Sequence, residues 1–208
     1  MLRSVILAAS RSTQVEKFVA SAPLSRDVVK RFVAGTTTQD ALRVTAELVQ
    51  QGLAVTLDHL GEDTLNADQA NATRDEYLRL LAALGAAGLT PAAEVSLKLS
   101  ALGQAFDEDL AEANARAICA AAAEVGTTVT LDMEDHTTTD STLTILGRLR
   151  KDFPGTGAVL QAYLRRTEQD CRELAIAGSR VRLCKGAYKE PEHVAYQAAL
   201  DVDKSYVR

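Results

Sequence analysis

The chain has 208 residues and a formal net charge of −5; 47% of its residues are hydrophobic and 25% charged. That length supports one sizeable core, and this composition, with only four prolines, excludes long disorder. The acidic excess disfavours nucleic acid as a partner, because such binding calls for a basic surface.

Met1–Ala9 imitates a secretion signal, but its apolar run is shorter than the ~7–15 residues of a signal core. No stretch approaches the ~20 apolar residues of a membrane span. Cys119, Cys171 and Cys184 are odd in number and widely spaced, so they outline neither a disulfide framework nor a zinc site. They read as small buried hydrophobes in a reducing compartment, and a cytoplasmic location is expected.

In chain order, residues 1 to 48 read as helical. Leu2, Ile6, Phe18, Val28, Val29, Phe32 and Val33 recur at helical spacing, and Pro23, Gly35 and Thr36–Thr38 punctuate them. Thr38 opens a helix with Ala41, Leu42, Val44 and Leu48 on its apolar face and Gly52 near its stop. The rhythm then alternates. Strands are expected over 54–58, 93–99, 127–133, 158–163 and 180–184. Helices are expected over 66–85, 107–125, 139–150 and 168–177, with a last one from Pro191 or Glu192 to the end.

Strict alternation implies parallel strands covered by helices. An open doubly wound sheet and a (βα)8 barrel both fit. The loop after the first strand, Asp58-His59-Leu60-Gly61-Glu62, lacks a glycine-rich dinucleotide fingerprint, which favours the barrel. The expected fold is therefore α/β, of the (βα)8-barrel family. Residues 1–48 would form an N-terminal helical segment and 49–208 an incomplete barrel of about five βα units out of eight. A complete five-stranded α/β domain is the alternative. An open barrel exposes strand edges and apolar surface, so self-association is expected.

Barrel enzymes place their working residues at the C-terminal ends of strands. Here those ends carry Asp58, Lys98, Asp132, Gln161 and Arg182. In Val95-Ser96-Leu97-Lys98-Leu99-Ser100, alternation sends the apolar residues toward the helices and Lys98 into the barrel. A buried ammonium needs an anionic partner, either a neighbouring carboxylate such as Asp132 or a ligand anion. Asp132 is followed by Glu134, Asp135 and His136, which suggests a metal. However, alternation separates Asp132 from Asp135, and no second histidine lies at ligand spacing. A solvated loop is the other reading of Glu134, Asp135 and His136.

Arg182 offers a planar donor fork, and Gln161 can donate and accept at a heterocycle edge. Gly186-Ala187 is small enough for a flat ligand to approach the backbone. Lys185 reads either as a phosphate ligand or as a solvated cation. Together these residues describe a cationic cup with one carboxylate, suited to a flat heterocycle and a small anion. A Schiff-base lysine at Lys98 is a further alternative, as is a non-catalytic barrel remnant acting as a binding module.

Six strings occur in an order and separation that resemble the bacterial proline dehydrogenase family. They are Arg31-Phe32-Val33-Ala34-Gly35, Leu57-Asp58-His59-Leu60-Gly61-Glu62, Val95 to Ser100, Leu131-Asp132-Met133-Glu134, Val159 to Tyr163, and Arg182-Leu183-Cys184-Lys185-Gly186-Ala187-Tyr188. The resemblance implies a distorted barrel that binds FAD. It also implies oxidation of L-proline to Δ1-pyrroline-5-carboxylate and a quinone-type electron acceptor, with peripheral membrane contact as a corollary.

Carried over by position, Lys98 would hold the proline carboxylate and Asp132 would support the polar network beside it. Ala187 and Tyr188 would line the substrate pocket, and Lys98, Asp132 and Tyr188 would form the catalytic group. Asp132, Gln161, Arg182, Cys184, Lys185 and Gly186 would border the flavin. The family's paired substrate-binding arginines, on its last helix, and its later flavin contacts have no counterpart in this chain. Little proline oxidation by the chain alone is therefore expected.

Overall fold

The structure, a computed structural model, describes residues 33–61 and 64–208; the helices expected over residues 1–32 lie outside them. The chain divides into two compact units, Met1–Val44 and Thr45–Arg208. In the first, Thr37 Oγ1 accepts the Asp40 backbone N–H at 3.1 Å and donates to Asp40 Oδ2 at 2.8 Å. This reciprocal cap starts helix α1 (Thr38–Gln50). Gly52, at φ +78°, ends that helix as expected: its N–H reaches the Val49 carbonyl, and the Leu53 N–H reaches that of Leu48.

The second unit alternates β1 (Val55–Asp58), α2 (Ala67–Ala86), β2 (Ala93–Leu97), α3 (Glu108–Glu124), β3 (Val129–Leu131), α4 (Thr139–Leu149), β4 (Gly157–Gln161), α5 (Thr167–Leu174), β5 (Val181–Cys184) and α6 (Ala199–Val207). All four strand pairings are parallel, and the sheet order equals the chain order. A doubly wound sheet reverses its strand order at a switch point. These five strands never reverse, so they are consecutive staves of a barrel wall, as the sequence led us to expect.

Helix starts follow local chemistry. Asn66 accepts the Gln69 N–H at 3.0 Å to open α2, and Asp107 accepts the Leu110 N–H at 3.0 Å to open α3. The side chains facing these helices, Val95, Leu97, Val129, Leu131 and Leu160, are almost wholly buried. Each such burial contributes about 1.5–3 kcal/mol. The opposite face inverts this pattern: Thr56, Glu94, Ser96, Thr128 and Thr130 are polar, and they form the inner face of the barrel wall.

Several expected elements differ. The second and third strands stop earlier, at Leu97 and Leu131, so Lys98 and Asp132 immediately follow them. The fourth strand also stops early, at Gln161, and the helix after it at Leu174. The last helix begins at Ala199 rather than near Pro191. Residues 194–196 instead dock on the stretch after β4. Leu164 and Ala195 form an antiparallel bridge, the Arg165 N–H reaches the Val194 carbonyl at 2.9 Å, and the Tyr196 N–H reaches the Tyr163 carbonyl at 2.8 Å. With those backbone groups already satisfied by the neighbouring loop, a helix there gains nothing.

Candidate functional site

Register places the polar strand ends on one face. Asp58 pairs with Ser96, Ser96 with Thr130, and Val159 with Arg182, while the Asp132 N–H extends the ladder to the Leu97 carbonyl at 2.9 Å. Alternation then sets Asp58, Lys98, Asp132 and Arg182 on the inner face. Lys98 Nζ lies 2.5 Å from Asp58 Oδ2 and 3.5 Å from Asp132 Oδ2, and Asp132 Oδ1 accepts from Arg182 Nη2.

Charges thus alternate across four elements and sum to zero. The strand-end residues suggested a cationic cup with a single carboxylate; Asp58 supplies a second one, paired with Lys98. Burial raises the Asp132 carboxyl above its ordinary value, against the opposing pull of Arg182 and Lys98, and the charge on Asp58 adds to the rise. Tyr77, fully buried on α2, secures Asp58. Its hydroxyl lies 3.2 Å from Asp58 Oδ1 and 2.8 Å from the Ser96 carbonyl, and it accepts the His59 N–H at 3.1 Å. Burial, then the Asp58 charge, raises this phenol and keeps it neutral.

Gln161 shares the inner face through its register with Cys184. Its Nε2 donates to the Glu134 carbonyl at 2.7 Å. Glu134 is not solvated, because its carboxylate is buried and accepts from Ser100 N–H at 3.1 Å and Ser100 Oγ at 2.5 Å. His136 is likewise engaged, through its ring and its backbone N–H, by the buried Glu190. Among the described residues, no group of three or more His, Cys, Asp or Glu is arranged to hold a metal ion.

Gly186 has φ +104°, and a Cβ there would lie 2.4 Å from Tyr163 Cδ1. The close approach it permits is therefore made by a side chain of the protein itself. Cys184 is half-buried against Met133, Val159 and Leu160, and burial raises its thiol. Lys185 points toward α6, with Nζ 2.5 Å from Asp203 Oδ1, and does not join the charged cluster. Ala187 is exposed, while Tyr188 is half-buried beside Tyr163 and Leu164.

Sequence reasoning missed a second polar layer nearer the strand starts. Arg180 donates to Glu94 Oε2 and to Thr128 Oγ1, both at 2.5 Å, and Thr56 Oγ1 donates to Glu94 Oε1 at 3.1 Å. Burial opposes ionisation of Glu94, but the donors Arg180, Thr128 and Thr56 outweigh it and hold the carboxyl below its usual range. The available signal was Glu94 itself, an acid in mid-strand on the same alternating face as Lys98. Thr56, Glu94, Thr130, Arg180 and Arg182 help line a hollow of about 400 Å³ on this face.

The proline dehydrogenase family model matches residues 41–203. The chain belongs to the proline dehydrogenase family. It is 37% identical over 196 residues to proline dehydrogenase 1 of Bacillus subtilis, covering 94% of this chain and 64% of that protein. It is 38% identical over 215 aligned residues to proline dehydrogenase of Deinococcus radiodurans, covering 100% of this chain and 67% of the relative. The chain thus spans about two thirds of the length of these relatives.

Among solved structures, proline utilization A (PutA) from Bdellovibrio bacteriovorus inactivated by N-propargylglycine aligns with a TM-score of 0.78 at 25% identity, over 88% of this chain and 24% of that one. PutA from Corynebacterium freiburgense, at 23% identity and a TM-score of 0.70 over 90% of this chain and 23% of that one, shares the fold. Both the barrel wall and the family drawn from the six strings are borne out. Among the described residues, no helix is long and apolar enough to cross a membrane.

Proposed function

We propose that residues 49–208 carry the FAD- and proline-binding face of a proline dehydrogenase that oxidises L-proline to Δ1-pyrroline-5-carboxylate. The observation that carries this reading is the linked row Asp58–Lys98–Asp132–Arg182 on one face of the wall. The donor set suits a flat ring with acceptor edges. Arg182 bonds Asp132 through Nη2 while its side chain stays 46% exposed along the inner hollow, which leaves planar donors for such an edge. Gln161 stands on the same face, with Cys184, Lys185 and Gly186 bordering the ring.

Bound FAD would supply the hydride acceptor, and the chain's own residues orient the reactants. Lys98 meets the proline carboxylate. Because Asp58 and Asp132 already share its ammonium, Lys98 fixes direction more than it supplies attraction. Asp132 keeps both Lys98 and Arg182 in place, and Ala187 and Tyr188 line the proline side. A quinone-type acceptor, reached by peripheral membrane contact from the cytoplasm, completes the turnover, and the outer edges of β1 and β5, which pair with no further strand among the described residues, favour self-association.

The test is anaerobic addition of L-proline to the FAD-loaded protein. Slow bleaching of the flavin absorbance is expected, in line with the little proline oxidation expected of the chain alone; FAD-loaded protein that proline leaves unbleached would refute the proposal.

A further inference from the structure

We infer that Glu190 is a positioning residue: its carboxylate anchors the loop between β5 and α6 and so fixes the Ala187–Tyr188 wall of the pocket. This inference rests on the proposed function for the identity of that pocket. Glu190 lies in the loop, yet its side chain is only 3% exposed. Taking a carboxylate out of water costs several kcal/mol unless donors replace the solvent, and here they come from two other elements. The His136 backbone N–H, in the loop after β3, reaches Glu190 Oε1 at 2.9 Å, and the His136 ring Nδ1 meets Oε2. The Tyr163 hydroxyl, just beyond β4, donates to Oε1 at 3.3 Å.

The same loop closes around Tyr163 from other directions. Gly186 lies against its ring, the Tyr163 N–H donates to the Lys185 carbonyl at 3.0 Å, and its carbonyl accepts the Tyr196 N–H at 2.8 Å. Gln197 Nε2 in turn donates to the Glu190 carbonyl at 3.1 Å. Ala187 and Tyr188 therefore sit between two fixed points, Gly186 on the Tyr163 ring and Glu190 on His136 and Tyr163. Neither fixed point belongs to the charged row, so the anchor can be cut without touching Lys98, Asp132 or Arg182.

The role is one of hydrogen bonding rather than net charge. Glutamine keeps an acceptor for the His136 N–H and the Tyr163 hydroxyl, and its amide N–H can donate to a neutral His136 ring. Glu190→Ala removes the carboxylate contacts to His136 and Tyr163 and keeps only the backbone one to Gln197. Glu190→Gln is thus the conservative rescue, and Tyr163→Phe, which deletes a single donor, is the mild variant should Glu190→Ala fail to fold.

Two readouts on the full chain decide the matter. In hydrogen exchange without ligand, Glu190→Ala is expected to raise exchange of the amides of Tyr163, Arg165 and Tyr196 by roughly tenfold or more, Tyr163→Phe by less, and Glu190→Gln only slightly. In proline-dependent flavin reduction, KM for proline is expected to rise roughly tenfold in Glu190→Ala with a smaller change in kcat and in FAD affinity, and to return toward wild type in Glu190→Gln. Unchanged exchange in both Glu190→Ala and Tyr163→Phe overturns the anchor. Faster exchange with unchanged KM overturns the positioning role. A wild-type protein that proline does not reduce sinks the proposed function, and the exchange measurements still decide the anchor.

Discussion

Replacing Lys98 by methionine keeps most of its apolar stem and removes only the ammonium. The nitrogen lies 2.5 Å from Asp58 and 3.5 Å from Asp132, so those carboxylate oxygens are at most about 6 Å apart. At an effective dielectric near 20, two like charges at that separation repel by about 3 kcal/mol. Tyr77 and Arg182 still donate to Asp58 and Asp132 and offset part of this. The side chains involved are 16–27% exposed, which puts the net loss at about 2–3 kcal/mol, below the figure for a fully buried pair.

The pH dependence has a definite sign. The folded-state Asp132 carboxyl is already raised above its ordinary 3.8, so its favourable contribution is present below that value and is lost as pH rises through the folded one. Without Lys98 it rises further, so the variant's deficit is largest near neutral pH and shrinks as pH falls toward 5. Urea denaturation of both proteins at the two pH values measures this. A shift of about 1 M in midpoint at neutral pH is expected, smaller at pH 5. Equal midpoints at both pH values would refute a shared ammonium at the centre of the row.

Gly186→Ala forces a left-handed backbone on a residue with a Cβ and pushes that Cβ into the Tyr163 ring. A loss of about 2–4 kcal/mol is expected, read as a lower melting temperature, and Tyr163→Ala in the same chain relieves the overlap part. Glu94→Gln leaves Arg180 without its carboxylate and is expected to cost about 1–2 kcal/mol near neutral pH, discounted because the Arg180 side chain is 39% exposed. Since the Glu94 carboxyl is held below its ordinary 4.5, its contribution is present above that value and is lost as pH falls through the folded one. Wild type and variant should therefore begin to converge only as pH falls below about 4.5.

Much of the wall was legible because a strand covered by helices must alternate. That rule alone turned Lys98 inward and implied an anionic partner, either a carboxylate such as Asp132 or a ligand anion; Asp132 lies 3.5 Å away. What the pattern left unread was the identity of long-range partners. Asp58 is 40 residues from Lys98, and Arg180 is 86 from Glu94; only the parallel register brings each pair together. The segment after Pro191 read as a helix because local propensity favours one, yet docking on residues 163–165 claims its backbone groups. Glu134 and His136 read as a metal suggestion or a solvated loop, and nothing in the local sequence singled out Glu190. Glu134 is buried against Ser100 and Glu190 against His136 and Tyr163, partners that no local window of sequence contains.

The proposed flavin and proline face is tested most directly by equilibrium FAD titration of three proteins: wild type, Arg182→Met, and Arg172→Met. Arg172 is an exposed arginine on α5 that pairs with Glu168, away from the charged row. Saturable binding by wild type and by Arg172→Met is expected, with binding by Arg182→Met weakened roughly 10- to 100-fold. Equal affinity in all three proteins would contradict a flavin held against Arg182 on the inner face.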